Sequence, residues 1–323
     1  MTELERLLHA EIAARGPVPF DRFMDAALYH PSYGYYRSGR TVFGREGDFY
    51  TAEQLQPVFG ILIRQAVDRL REDLGNPPDF RVVELGAGRA EMADAFAGLD
   101  YTPVDWTGGA LPSSMTGVVF ANEFFDALPV KVFRWHGEIF RELLVTSDGH
   151  RFAWSDGDEP DSACAHYLAA YTQPGEDGSL VEVNLLALEW IDRIGRSLDG
   201  GCLLAFDYGY TRREMLRFPR GTLLAYRRHT VIDDVLSAPG AVDITAHVNF
   251  TALMEHASRA GGKALRFESM AQTLLRAGEP DQFAAALAAA NPAEEARRRL
   301  QLKSLLFGMG ETFRTLLVKV GPK

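Results

Sequence analysis

The chain has 323 residues, of which 46% are hydrophobic and 24% charged, and a formal net charge of -10 at pH 7. That balance describes a globular protein with a sizeable core, and its acidity argues against a nucleic-acid or anionic-membrane surface. Arg297, Arg298 and Arg299 read as a solvated helix face. Two cysteines, Cys164 and Cys202, supply neither a disulfide framework nor metal-ligand spacing, so no metal is expected, and a reducing, cytoplasmic setting is.

The first segment, MTELERLLHAEIAARGP, places Leu4, Leu7, Leu8 and Ile12 at helical spacing, with Thr2 and Glu5 disposed as a capping box and Gly16-Pro17 as the stop. It lacks the apolar centre of a secretion signal, and no run is long enough to insert in a membrane. A second helix carries Phe20, Phe23, Met24 and Leu28. The loop from His30 to Thr51, dense in glycine, tyrosine and charge, suits a lid that closes over a ligand or a packed aromatic connector. Residues 61–74 form a helix, and Pro77-Pro78 precedes FRVVEL, a strand entering the turn Gly86-Ala87-Gly88. Ala90 to Ala97 can open a helix. Further strands are expected at Tyr101–Asp105, Gly117–Ala121 and Gly201–Asp207, with a hairpin from Val132 to Val145 turned at Gly137. A helix from Ala187 to Leu198 stops at Gly200-Gly201. Residues 208–249 are rich in loops, Phe250–Ala260 is helical, Phe283–Leu306 is a helical stretch broken at Pro292, and Thr312–Val320 is a strand. Strands alternating with helices predict an α/β fold with a mostly parallel sheet covered on both faces. We place an N-terminal helical and loop cap at 1–60 and the core at 61–323, with inserted hairpin and helical segments at about 131–180, 208–249 and 271–306.

A glycine turn at the carboxyl end of a strand lets backbone approach a nucleotide-like ligand. The dinucleotide fingerprint requires a glycine where this chain has Glu91, which disfavours a nicotinamide oxidoreductase. Glu84, two residues before Gly86, burdens a phosphate and suits a cation. Asp105 follows Glu84 by twenty-one residues, near the spacing of about 20 at which an acid accepts hydrogen bonds from ribose hydroxyls; its alternative is a strand-end cap. A ribose acid beside an acid for a cation suggests S-adenosylmethionine, with its ribose, amino group and sulfonium.

The segments VVELGAGRAEM, VVFANEFFDALPV, LLAFDYGY, RGTLLAYRRH and DITAHVNFTAL, together with GPVPFDRFMDAALYHPSYGYY and GREGDFYTA, resemble the MidA-like family of class I methyltransferases from about Gly16 to Gln272. The resemblance implies a Rossmann-like core that binds S-adenosylmethionine, and a protein substrate. Mitochondrial members of that family methylate an arginine of a respiratory complex I subunit during its assembly. On the matching positions, Gly86, Gly88, Glu84, Asp105, Asn122 and Asp48 fall to the cofactor, with Asp48 in GREGDFYTA lining its entrance. The chain departs from the family at Arg89-Ala90-Glu91, where another glycine or a small residue usually follows Gly88; a non-catalytic binding or assembly protein that keeps the fold is the alternative there.

If the acceptor is a guanidinium, cofactor and acceptor are both cations, and carboxylates are needed to bring them together. In GVVFANEFFDALPV, Glu123 and Asp126 stand just past a strand at the expected ligand edge, with Asn122 able to support either reactant through its amide. Alternatively Glu123 caps a following helix and Asp126 pairs with Lys131. His247 is the candidate base; a structural histidine is the commoner case, as for His30 and His229. Glu182, Asn184, Asp207, Tyr208 and Asn249 are further candidates to face the acceptor.

Overall fold

Thr2 accepts the Glu5 backbone N–H while the Glu5 side chain returns to the Thr2 N–H, and the capping box opens a helix over Glu3–Arg15. Gly16, at φ 84, closes it, since the left-handed region is open to a residue without Cβ. The computed structural model describes residues 1–37, 52–105, 108–173, 175–227 and 230–321. Asp48, His229 and most of the 30–51 loop therefore lie outside the described residues.

The chain divides into two compact units, each assembled from three segments. The first comprises Met1–Tyr50, Asp126–Leu188 and Tyr210–Ala252. The helix Phe20–Tyr29 buries Phe20, Phe23 and Met24, which pack with Val132, Leu143 and Val145 of an antiparallel sheet. In that sheet Lys131–Trp135 and Phe140–Ser147 form the hairpin expected at Gly137, with Val132 opposite Leu143. Phe152–Asp156 and Leu180–Val183 extend it. The 208–249 stretch, expected to be mainly loop, holds a second small sheet of Thr230–Ile232, Leu224–Arg227 and Asp243–Thr245. These strands are three or four residues long, too short for alternation to stand out.

The second unit comprises Thr51–Phe125, Glu189–Gly209 and Leu253–Lys323. Its sheet runs in the order Gly262–Ser269, Phe313–Val320, Leu198–Tyr210, Met115–Asn122, Phe80–Leu85, Asp100–Val104. The last four strands are mutually parallel, and the first two are antiparallel additions. Val82, Val118, Phe120 and Leu204 bury one face of this sheet in a core shared with Phe59, Leu62 and Ile63 of the helix Val58–Asp73 and with Leu274 of the helix Met270–Gly278. Val83, Val119 and Leu203, pointing the other way, are equally buried, as expected of parallel strands covered on both sides.

One expectation is corrected. The segment Ala90–Ala97 is a series of turns and not a helix, because Gly88 and Ala90 both stand at positive φ, 51 and 55, and a right-handed helix cannot start through left-handed residues. The expected break at Pro292 is present: the helix Ala284–Leu287 ends before it, and Pro292 occupies the first turn of Pro292–Ser304, capped by the Asn291 side chain accepting from the Glu294 N–H. Among the described residues no helix is long and apolar enough to cross a membrane.

Candidate functional site

In the sheet of the second unit, Leu85 pairs with Val104 on one side and with Ala121 on the other. The next residue on each strand is therefore Gly86, Asp105 or Asn122, and the register aligns these three along one carboxyl edge. Gly86 takes φ 71 and donates its N–H to the Val104 carbonyl at 2.9 Å. A Cβ there would stand 3.0 Å from the Phe124 ring, so the turn requires glycine both for conformation and for space. Asp105 closes its own tight turn, exchanging backbone hydrogen bonds with Gly108 at 2.9 and 3.1 Å. Because no helix follows the glycine turn, the positive helix terminus that holds a pyrophosphate in dinucleotide folds is missing from this place.

One turn lower, Glu84 is only 1% exposed. The Tyr101 hydroxyl donates to its Oε2, while Oε1 is buried without a hydrogen-bond partner. Burial pushes this carboxyl up to about 7, against the lowering by the Tyr101 hydroxyl and the neighbouring Glu53, with Glu91 and Asp105 adding repulsion. Glu53, in the short turn Ala52–Gln54, is pushed well above the carboxylate range by burial first and then by Glu84, Glu123 and Glu91. The Tyr101 phenol is likewise raised, by burial and by Glu84. Glu53 and Tyr101 were not foreseen. Glu53 immediately follows the GREGDFYTA segment, and a signal was available in that proximity; Tyr101 reaches Glu84 only through strand pairing.

Asn122 is 5% exposed; its Nδ2 donates to Glu123 Oε1 at 3.3 Å, and its Oδ1 is buried without a partner. Glu123 sits at φ 50, an uncommon conformation for a residue with a Cβ and one that clusters at functional sites. Its N–H donates to the Phe206 carbonyl at 2.9 Å, and its Oε1 also accepts the Ala52 N–H at 3.3 Å. No helix follows Glu123, so a capping role is ruled out. Asp207, fully buried, accepts the Phe125 N–H with Oδ2 and the Tyr208 N–H with Oδ1, both at 2.9 Å. It fixes the corner after Glu123 and is not directed at an acceptor.

Asp126 and His247 belong to the first unit, where the Ala246 N–H donates to the Asp126 carbonyl at 2.9 Å. Asp126 is 5% exposed and does not pair with Lys131, which instead binds Glu142 at 2.7 Å and Asp21 at 3.6 Å. The His247 ring packs edge-on against Phe218, and burial lowers its pKa, favouring the neutral imidazole. The remaining candidates do structural work. Glu182 accepts the Thr222 N–H at 2.6 Å, Asn184 the Ala187 N–H at 2.8 Å and Asn249 the Ala252 N–H at 3.2 Å, while His30 Nδ1 takes the N–H groups of Ser32 and Tyr33. Tyr208 packs its ring against Phe313.

The strand edge thus gathers carboxylates, buried orphan acceptors and a close-approach glycine, a set suited to a ligand that carries an ammonium and hydroxyls and unsuited to one that carries phosphates. Comparison with known proteins agrees. A family model for S-adenosyl-L-methionine-dependent methyltransferases matches residues 95–268. The protein arginine methyltransferase NDUFAF7 homolog, mitochondrial, of Drosophila melanogaster is 29% identical over 80% of this chain and 70% of its own. The human protein arginine methyltransferase NDUFAF7, mitochondrial, is 27% identical over 78% of this chain and 68% of its own. A crystal structure of a Burkholderia thailandensis protein bound to S-adenosyl-homocysteine shares the fold with a TM-score of 0.85 at 29% identity, covering 99% of this chain and 92% of the other. The mitochondrial relatives overturn the cytoplasmic placement; a low cysteine count says nothing of an enclosing membrane.

Proposed function

We propose that this chain, which belongs to the family of S-adenosyl-L-methionine-dependent methyltransferases, uses the acidic strand edge of its second unit to bring its cofactor to an arginine of a protein. The cofactor supplies an electrophilic methyl group on a sulfonium. In this reading Asp105 accepts hydrogen bonds from the ribose, Gly86 and Gly88 let backbone approach, Glu84 receives the ammonium, and the Asn122 amide supports the cofactor or the acceptor. The orphaned buried oxygens Glu84 Oε1 and Asn122 Oδ1 fit that group, since each gains the partner it lacks.

Glu123 is the observation on which the acceptor rests. A carboxylate held at φ 50 by a backbone N–H and an amide is oriented before any substrate arrives. Beside a cationic cofactor it favours a cationic acceptor, gripping a guanidinium through paired N–H···O bonds. It also takes the proton that the guanidinium nitrogen loses as the new N–C bond forms. Much of the rate then comes from alignment. The names of the curated relatives favour protein arginine, and the resemblance to MidA-like proteins favours a respiratory-chain subunit as the acceptor.

Incubating the protein with methyl-labelled cofactor and a native extract, followed by acid hydrolysis of labelled protein, tests this. Label recovered as methylarginine, and lost with Glu123→Gln, supports the reading; label on another residue type, or none, overturns it.

A further inference from the structure

Glu84 and Asp207 are both buried acids of one sheet, and they are tied in different ways. Asp207 spends both oxygens on backbone N–H groups, the arrangement of an acid that serves the fold. Glu84 has Oε2 engaged by the Tyr101 hydroxyl and keeps Oε1 buried without a partner. The sheet register makes that one-sided tie. Val82 pairs with Tyr101 and Glu84 with Pro103, so Tyr101 is the diagonal neighbour of Glu84 on the same face, within reach of an aromatic side chain. The Tyr101 ring is itself fixed: it packs at 5.4 Å against the fully buried Phe96, which packs in turn on Phe120 at 5.8 Å.

We propose that Tyr101 is a positioning residue for the cofactor's amino-acid end: its hydroxyl ties down one oxygen of Glu84 so that the other, Oε1, is presented to the ammonium in a fixed orientation. The inference rests on the reading of Glu84 as the ammonium acceptor and adds the residue that makes it one. Tyr101 acts through Glu84 and touches no atom of the cofactor. A carboxyl buried this deeply, with Glu91 and Asp105 adding repulsion, is drawn toward its neutral form, which attracts a cation far less. A phenol donating to it favours the ionised form and holds the carboxylate in one rotation, so less freedom is lost when the ammonium arrives.

The test compares two ligands on the full chain by calorimetric titration. S-adenosylhomocysteine carries the ammonium; methylthioadenosine keeps the nucleoside and sulfur but lacks the amino-acid end, and its binding also reports that a variant's pocket has folded. Tyr101→Phe keeps the ring against Phe96 and removes the hydroxyl alone. The dissociation constant of S-adenosylhomocysteine should rise at least about tenfold, the effect of losing one charge-assisted hydrogen bond, while that of methylthioadenosine stays within about twofold. In a Glu84→Gln background the same substitution should add less than about twofold, because the two residues act as one unit. Equal weakening of both ligands, as a merely structural role would give, overturns the proposal alone. So does unchanged affinity for S-adenosylhomocysteine in Tyr101→Phe, or a tenfold loss that persists in the Glu84→Gln background. Wild-type protein that binds methylthioadenosine as tightly as S-adenosylhomocysteine overturns the Glu84 reading together with the proposal.

Discussion

Glu84, at the end of a buried parallel strand and only 1% exposed, accepts the Tyr101 hydroxyl from the next strand. A carboxyl so placed is held by the fold in a form that the unfolded chain does not favour, and stability should follow pH accordingly.

The Glu84 carboxyl lies at about 7 in the folded protein against 4.5 ordinarily. The folded state therefore binds the proton more tightly than the unfolded state. Its contribution to stability is present below about pH 4.5 and is lost as pH rises toward 7, at up to about 1.4 kcal/mol per pH unit for one proton. Thermal unfolding of the cofactor-free protein between pH 5 and 8 should show this decline, and Glu84→Gln should flatten it. A parallel decline in both proteins would assign the effect elsewhere.

Gly86→Ala should weaken S-adenosylhomocysteine binding by at least about tenfold and lower stability by about 1–2 kcal/mol, the usual cost of placing a Cβ in the left-handed region. The added carbon would also press on the Phe124 ring at 3.0 Å. Binding isotherms and denaturant titrations on one preparation check both parts.

Asp105→Ala should reduce cofactor affinity by about 10- to 100-fold, the range expected when charge-assisted hydrogen bonds of about 1.5–3 kcal/mol are lost. The turn beneath is made by backbone groups of Asp105 and Gly108, so the melting temperature should hold. A variant with unchanged affinity but lower melting temperature would make Asp105 a strand-end cap.

Glu123→Gly should uncouple stability from activity. Glycine accepts φ 50 without strain, which favours the variant by about 1 kcal/mol, while the bonds to Ala52 and Asn122 are lost. The expected outcome is a protein about as stable as the parent that binds cofactor but transfers methyl groups at least about a hundredfold more slowly. Preserved turnover would remove Glu123 from the mechanism.

Asp207→Asn should lower stability by about 2–3 kcal/mol, because an amide cannot accept both the Phe125 and the Tyr208 N–H and leaves one buried donor unpaired. The loss is to be read from chemical denaturation, and turnover per folded molecule should fall only as the Glu123 corner loosens.

Several features were legible in the residues alone because their causes are local. The capping box of Thr2 and Glu5, the hairpin at Gly137 and the strand running into Gly86 each follow from groups a few positions apart. The motifs in fixed order carried the family. One local reading failed where backbone conformation overrode composition: alanine-rich 90–97 is not helical because Gly88 and Ala90 are left-handed. The break at Pro292 was legible, and the helix restarts there once Asn291 caps it.

What only tertiary structure decided is which distant residues meet. Sequence spacing put Asp105 about twenty residues past Glu84, but the strand register is what sets Asp105 and Asn122 beside Gly86. Asp207 and Glu123 looked alike as acids after apolar runs, yet Asp207 spends both oxygens on backbone N–H groups while Glu123 stays at the edge. Glu53 lay in no strand and carried no spacing rule, and it joined the site because the turn that holds it is tied to Glu123 through the Ala52 N–H. Helical periodicity and turn chemistry are written in neighbouring residues; strand order and the burial of a charge depend on contacts made across the whole sheet, and those exist only once the chain has folded.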